Sequence, residues 1–115
     1  MTEATDRVRL EPAKRIQVRL GGQAIVDTPH GYIVHEVGHP PRYYVPRGDV
    51  RAEFSDGEGG SRCPWKGLWK HLDVTAGGQR LENAAWTYYD TTPVCAPIRD
   101  FIAFYPTKVE SIDVE

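Results

Sequence analysis

The sequence predicts a mainly β fold, with about eight or nine short antiparallel strands and one short helix, in one twisted sheet or two packed sheets. Three observations carry this. Apolar and polar residues alternate with period two at Ile16, Val18 and Leu20, the pattern of a half-buried strand. The apolar runs are rich in β-branched and aromatic residues, which suit a pleated surface. Gly-Gly pairs and prolines cut the chain at short intervals, at Gly21-Gly22, Pro40-Pro41, Pro46 and Gly77-Gly78.

The elements follow in order. Residues 1–14 read as a polar tail with Pro12 as punctuation, and residues 15–115 as one β-rich domain. Two strand-like runs flank Gly21-Gly22. That is a tight hairpin, because Gly supplies the positive φ of the primed turns. Pro29 to Gly31 turns the chain, Tyr32 to Val37 is a strand, and Gly38 to Pro41 breaks it. Tyr43 to Val45 is a short strand ended by Pro46, and Val50 to Phe54 is another. Ser55 to Gly60 has no core-forming residue and reads as a loop. Leu68, Leu72 and Val74 return to strand character, and Gly77-Gly78 makes a second hairpin into Leu81 and Ala84 to Tyr89. Thr91-Thr92-Pro93 has the form of a helix start, with Val94, Ile98 and Phe101 as a buried stripe over 93–101. Pro97 strains that helix. Phe101 to Tyr105 and Val109 to Val114 close the chain as strands.

The two halves echo each other. Val18 to Gln23 matches Val74 to Gln79, and Tyr43 to Pro46 with Val50 matches Ala103 to Pro106 with Val109. One reading is two β-meanders about a pseudo-twofold axis; the other is chance recurrence of common β punctuation. If the repeat is real, Ser55 to Gly67 has no counterpart.

Composition narrows the function classes. With 115 residues, 40% apolar and 26% charged, the chain is long and apolar enough for one packed domain. A net charge of −2 argues against nucleic acid as a partner, since that needs a basic surplus. No apolar run approaches the roughly 18 residues of a membrane span. Met1 to Lys14 lacks a signal peptide's apolar stretch, so a cytoplasmic location is expected.

Cys63 and Cys95 stand alone, outside any Cys-x-x-Cys pair, so a structural zinc site lacks ligands, and no metal or cofactor is expected. His35 and His39 are four apart, but Gly38 and Pro40 forbid the helix that would make that spacing useful. Glu36, inside an apolar strand, faces either solvent or a pocket. Phosphate-loop, nucleophile-elbow and paired-Asp motifs are absent.

Arg62-Cys63-Pro64-Trp65-Lys66-Gly67 is the most informative stretch. Cations beside a thiol favour the thiolate, so Cys63 with Lys66 and Arg62 is a candidate nucleophile or redox centre. In the other reading Cys63 is a small buried hydrophobe, Trp65 plugs the core and Lys66 is solvated. Aromatic side chains in strands beside turns, Tyr44, Trp86 and Tyr88 among them, either pack the core or wall a small-molecule pocket.

These residues resemble a bacterial family, the domain-of-unknown-function family 427. The resemblance rests on Val18-Arg19-Leu20-Gly21-Gly22, Glu36, and Tyr43-Tyr44-Val45-Pro46 with Asp49-Val50 in the first half. In the second half it rests on Cys63-Pro64-Trp65-Lys66-Gly67, Ala84-Ala85-Trp86-Thr87-Tyr88 and Ile102-Ala103-Phe104-Tyr105-Pro106, spanning residues 7 to 114 overall. It implies a zinc-free, tent-like sheet arrangement similar to the Mss4 type. The family also carries a nucleotidyltransferase label. The carboxylate motif such chemistry needs is missing here, so no activity is implied.

The expected function is binding of an unidentified small molecule in an aromatic-lined groove. Trp65, Trp86, Tyr88, Tyr44 and His39 are its candidate contacts, and Cys63, Lys66 and Glu36 its candidate catalytic groups. The alternative is a non-catalytic interaction module, in which Cys-Pro-Trp-Lys-Gly is a folding motif and exposed strands pair with a partner or a second copy as a homodimer.

Overall fold

The computed structural model describes residues 7–115. It contains ten strands: β1 (Val8–Pro12), β2 (Ile16–Leu20), β3 (Gln23–Thr28), β4 (Tyr32–Glu36), β5 (Arg42–Val45), β6 (Glu53–Cys63), β7 (Gly67–Ala76), β8 (Gln79–Thr91), β9 (Ile102–Phe104) and β10 (Ser111–Val114). They form a seven-stranded sheet in the order β1-β4-β5-β9-β8-β7-β6 and a three-stranded sheet in the order β10-β2-β3. All pairings are antiparallel. This is the mainly β fold that the strand periodicity predicts, and of the two arrangements left open, one sheet or two, it is the two-sheet one. Among the described residues, no helix is long and apolar enough to cross a membrane.

The seven-stranded sheet has two apolar faces, because side chains alternate along each strand. Val45, Ile102 and Phe104 point to one face and pack with Ile16, Val18 and Leu20 of the small sheet. Tyr44, Ala103, Trp86 and Tyr88 point to the other, where Cys95 and Ile98 cover part of it.

The internal echo is visible in the strand pairing. β6 follows β5 as β10 follows β9, and each pairs with the first strand of the opposite half. Phe54 lies opposite Val74, and Ile112 opposite Val18. Val18 and Val74 are the positions that match in sequence. β5 and β9 pair with each other, Tyr44 opposite Ala103. The registers therefore obey a twofold relation.

Four local expectations are corrected. Residues 1–6 of the expected tail lie outside the described residues, but Val8–Pro12 is strand β1, paired with β4. Its alternation is short and Val8 is its one buried side chain, so it reads as polar chain. Ser55 to Gly60 is not a loop. It lies within β6, where the register with β7 shifts between Asp56 and Gly60. As an edge strand it needs little core, and the Asn83 side chain accepts the Glu58 backbone N–H at 2.9 Å. Val50 makes only an isolated bridge to Val26, after a 3-10 turn over Arg47–Asp49. The helix expected over 93–101 is a 3-10 helix, Pro93–Ile98, in which Cys95 and Ile98 are buried and Phe101 lies outside. Pro97 has no N–H for an α-helical bond. Thr92 makes no side-chain cap; its hydroxyl is used elsewhere.

The two Gly-Gly turns touch. Gly21 and Gly77 have φ +61° and +58°, and a Cβ on Gly21 would lie 3.0 Å from Gly77 Cα. Gly22, at φ +73°, has open space around it. Gly21→Ala and Gly77→Ala should each cost about 1–3 kcal/mol in denaturant unfolding. The double variant should depart from additivity, because the positions are in contact. Gly22→Asn should stay within about 0.5 kcal/mol, since Asn tolerates positive φ.

Candidate functional site

The second face of the large sheet is not closed by packing. A cavity of about 490 Å³ opens between the sheet and the turn joining β6 to β7. The turn is built by its sequence. Lys66 N–H donates to the Cys63 carbonyl at 3.3 Å, with Pro64 second in the turn, where its fixed φ fits. Thr92 then clamps it: its hydroxyl donates to the Trp65 carbonyl at 2.8 Å and its N–H to the Lys66 carbonyl at 3.0 Å. Gly67 follows at φ +126°, where a Cβ would collide with the Asp90 carbonyl oxygen. Only glycine suits that position.

This turn brings Cys63, Trp65 and Lys66 to the cavity, opposite Trp86 and Tyr88 of β8. Glu36 ends β4 on the same face as Val34, and His39 in the next turn stands at the rim. Of the two readings open for Glu36, the pocket is the one observed. Its carboxylate contacts the Lys66 ammonium, both side chains being only 11–12% exposed, and lies 3.2 Å from Nε2 of His39, which is 62% exposed. The three groups form a chain from solvent to the cavity wall. Arg62, one residue before Cys63, is exposed and borders a separate surface groove. Strand alternation turns it away from the thiol.

Tyr44 does not line the cavity. It is fully buried beneath it, and its hydroxyl accepts the Trp86 indole N–H at 2.9 Å. The rings meet edge to face, 6.1 Å apart at 89°. Tyr44 therefore fixes the wall rather than forming it.

Among the wall residues that sequence reasoning missed are Arg42, Trp69 and Tyr105. Arg42, two residues before Tyr44 and on the same strand face, lines the cavity with its guanidinium 5.7 Å from the Trp86 ring. Trp69 and Tyr105 complete the wall. The Tyr105 hydroxyl is 2.9 Å from His71 Nε2, and His71 Nδ1 is 2.9 Å from the Glu58 carbonyl oxygen. A carbonyl only accepts, so Nδ1 carries a hydrogen, and in the neutral ring Nε2 accepts from Tyr105. The available signal was alternation: Trp69 and His71 sit opposite Tyr88 and Trp86 in the β7–β8 register.

The two remaining histidines lie elsewhere, His30 exposed in the turn after β3. His35 is on the opposite face of β4 and pairs with Glu11 at 2.8 Å. Among the described residues, no three His, Cys, Asp or Glu side chains converge as metal ligands.

Burial dominates the titration of the phenols here. It pushes Tyr44 and Tyr88 well above the ordinary tyrosine range. Tyr105 moves the same way, and burial also raises the Cys95 thiol. Cys63 is partly exposed.

Over residues 9–115 the chain matches the family described as Domain of unknown function (DUF427), and it belongs to that family. No curated protein matches it.

Two predictions follow from this geometry. Iodoacetamide on the folded protein should alkylate Cys63 while Cys95 reacts slower by about tenfold or more, read by peptide mass mapping. Equal rates would mean that the 3-10 helix does not seal Cys95. The second concerns alkaline pH. Unfolded tyrosine and cysteine titrate near 10.0 and 9.0, and the folded groups hold their protons to higher pH. Above those values the unfolded chain binds fewer protons, so stability falls as pH rises. Denaturation midpoints should be flat up to about pH 9 and decline beyond it, and Tyr88→Phe should flatten the decline.

Proposed function

We propose that this DUF427-family chain binds a small organic molecule in the aromatic-walled cavity. One observation carries the reading: Trp65, Trp69 and Trp86, all the tryptophans of the chain, line one cavity of about 490 Å³. That volume is within the range of small-molecule sites. An aromatic cluster serving only to pack would close on itself, whereas this one stays open around Glu36, Lys66 and Arg42. Trp65, Trp86, Tyr88 and His39 would contact the ligand, with Tyr44 acting through Trp86. The Cys-Pro-Trp-Lys-Gly segment serves as a turn motif as well, and its fold is what delivers Trp65 and Lys66 to the site.

A chemical role is the second reading, favoured by the His39–Glu36–Lys66 chain ending beside Cys63. That chain would carry protons between solvent and a group bound at the cavity wall, with Glu36 and His39 as acid and base. A cytoplasmic location fits two unpaired thiols.

The three tryptophans make the test direct. Labelling with 5-fluorotryptophan gives resonances that all report on the cavity. Titration with benzoate, benzamide, indole and quinoline should shift them together for at least one compound, and saturably. A set of resonances that none of these compounds moves would overturn the reading.

A further inference from the structure

We infer that the cavity selects a planar aromatic monoanion: an aryl or heteroaryl ring bearing one carboxylate, with the ring among the tryptophans and the carboxylate on Arg42. This rests on the binding reading and adds the ligand's charge and shape.

The first argument is where the resident charges go. The Glu36 carboxylate is engaged on both oxygens, by Lys66 on one and His39 on the other. It has little left for a ligand. Arg42 lines the same cavity and stacks on Trp86, and among the described residues it has no carboxylate partner. With two cations against one carboxylate, the cavity carries a surplus positive charge in a partly desolvated setting. A bound monoanion would neutralise it.

The second argument removes the obvious rival. Open aromatic walls attract cations by their ring faces. Here two of the wall rings already carry resident cations. Arg42 sits 5.7 Å from the Trp86 centroid and Lys66 5.3 Å from that of Tyr88, and both cations line the cavity. A cationic ligand would meet repulsion from each. An electron-rich anionic ring would meet the same groups as attraction.

The third argument concerns the anion. A single guanidinium presents a planar fork that matches a carboxylate in two parallel hydrogen bonds. Phosphate sites add the N-terminus of a helix or a cradle of backbone N–H groups. The described residues hold only short 3-10 helices, and none lines this cavity. The Trp86 indole is held edge-on by Tyr44, and Trp86 and Tyr105 lie 4.5 Å apart. Such fixed ring walls favour a flat guest over a bulky one.

The experiment compares charge at constant shape. Calorimetry and fluorotryptophan spectra at pH 7.5 would be run with benzoate, indole-3-carboxylate, benzamide, benzyltrimethylammonium and acetate. The aromatic carboxylates should bind about tenfold or more tighter than benzamide. Acetate should give no saturable signal. R42Q, with an unchanged circular dichroism spectrum, should bring benzoate to the affinity of benzamide, and R42K should recover only part of the loss. If benzamide binds as tightly as benzoate, or the ammonium binds best, this inference falls and small-molecule binding stands. A carboxylate preference that persists in R42Q likewise overturns it. If no aromatic probe binds, the binding reading falls first and takes this one with it.

Discussion

The pairing of β5 with β9 is the constraint on which the site depends. In the large sheet it is the seam between β1-β4-β5 and β9-β8-β7-β6. It is short, with Tyr44 opposite Ala103 and Val45 opposite Ile102. Its alternation decides what each face receives. Val45, Ile102 and Phe104 go to the core beneath the small sheet. Tyr44 and Ala103 go to the opposite face, where the small Ala103 side chain leaves room beside Tyr44 for the Trp86 indole. The Tyr44 hydroxyl then accepts the indole N–H. A one-residue slip in this seam would send Tyr44 into the core and leave Trp86 without its partner.

The cavity sits where β6 departs from the twofold relation. The first part of β6 corresponds to β10, and both pair with equivalent positions, Phe54 on Val74 and Ile112 on Val18. β6 runs on to Cys63 through the register shift after Asp56. That run folds with the start of β7 into a hairpin extension, and its far end is the turn that overhangs Trp86 and Tyr88. The cavity is the space beneath that extension.

Much of this was legible because it follows from local rules. Gly-Gly pairs between alternating runs make hairpins whatever surrounds them. Residues 63–66, which the sequence sets beside aromatic strands, line one cavity with Glu36, Trp86 and Tyr88. What was not legible depends on distant partners. The strand character of Ser55 to Gly60 comes from β7 and from Asn83, not from its own glycines and serine. Thr92 looks like a helix cap in sequence, but its hydroxyl goes to Trp65, 27 residues away. Arg42 reads as a polar residue after two prolines. Only its position above Tyr44 on β5, facing Trp86 of β8, makes it part of the wall.

The same distant contacts explain why the hollow persists. Apolar walls separated by water attract, and a cavity with free side chains would collapse. Here three of the wall residues are tied from behind. Trp86 is held by Tyr44, Tyr105 by His71, and the backbone of Trp65 by Thr92. His71 is held in turn by the Glu58 carbonyl of β6, so the hairpin extension that roofs the space also steadies its far wall. The ordering cost of these rings falls on folding rather than on binding. A ligand entering such a site loses less of its binding energy to rearrangement. The charged groups are fixed as well, Glu36 between Lys66 and His39, and Arg42 against Trp86. The site's selectivity would therefore be set before any ligand arrives, by which of its charges the fold has already satisfied.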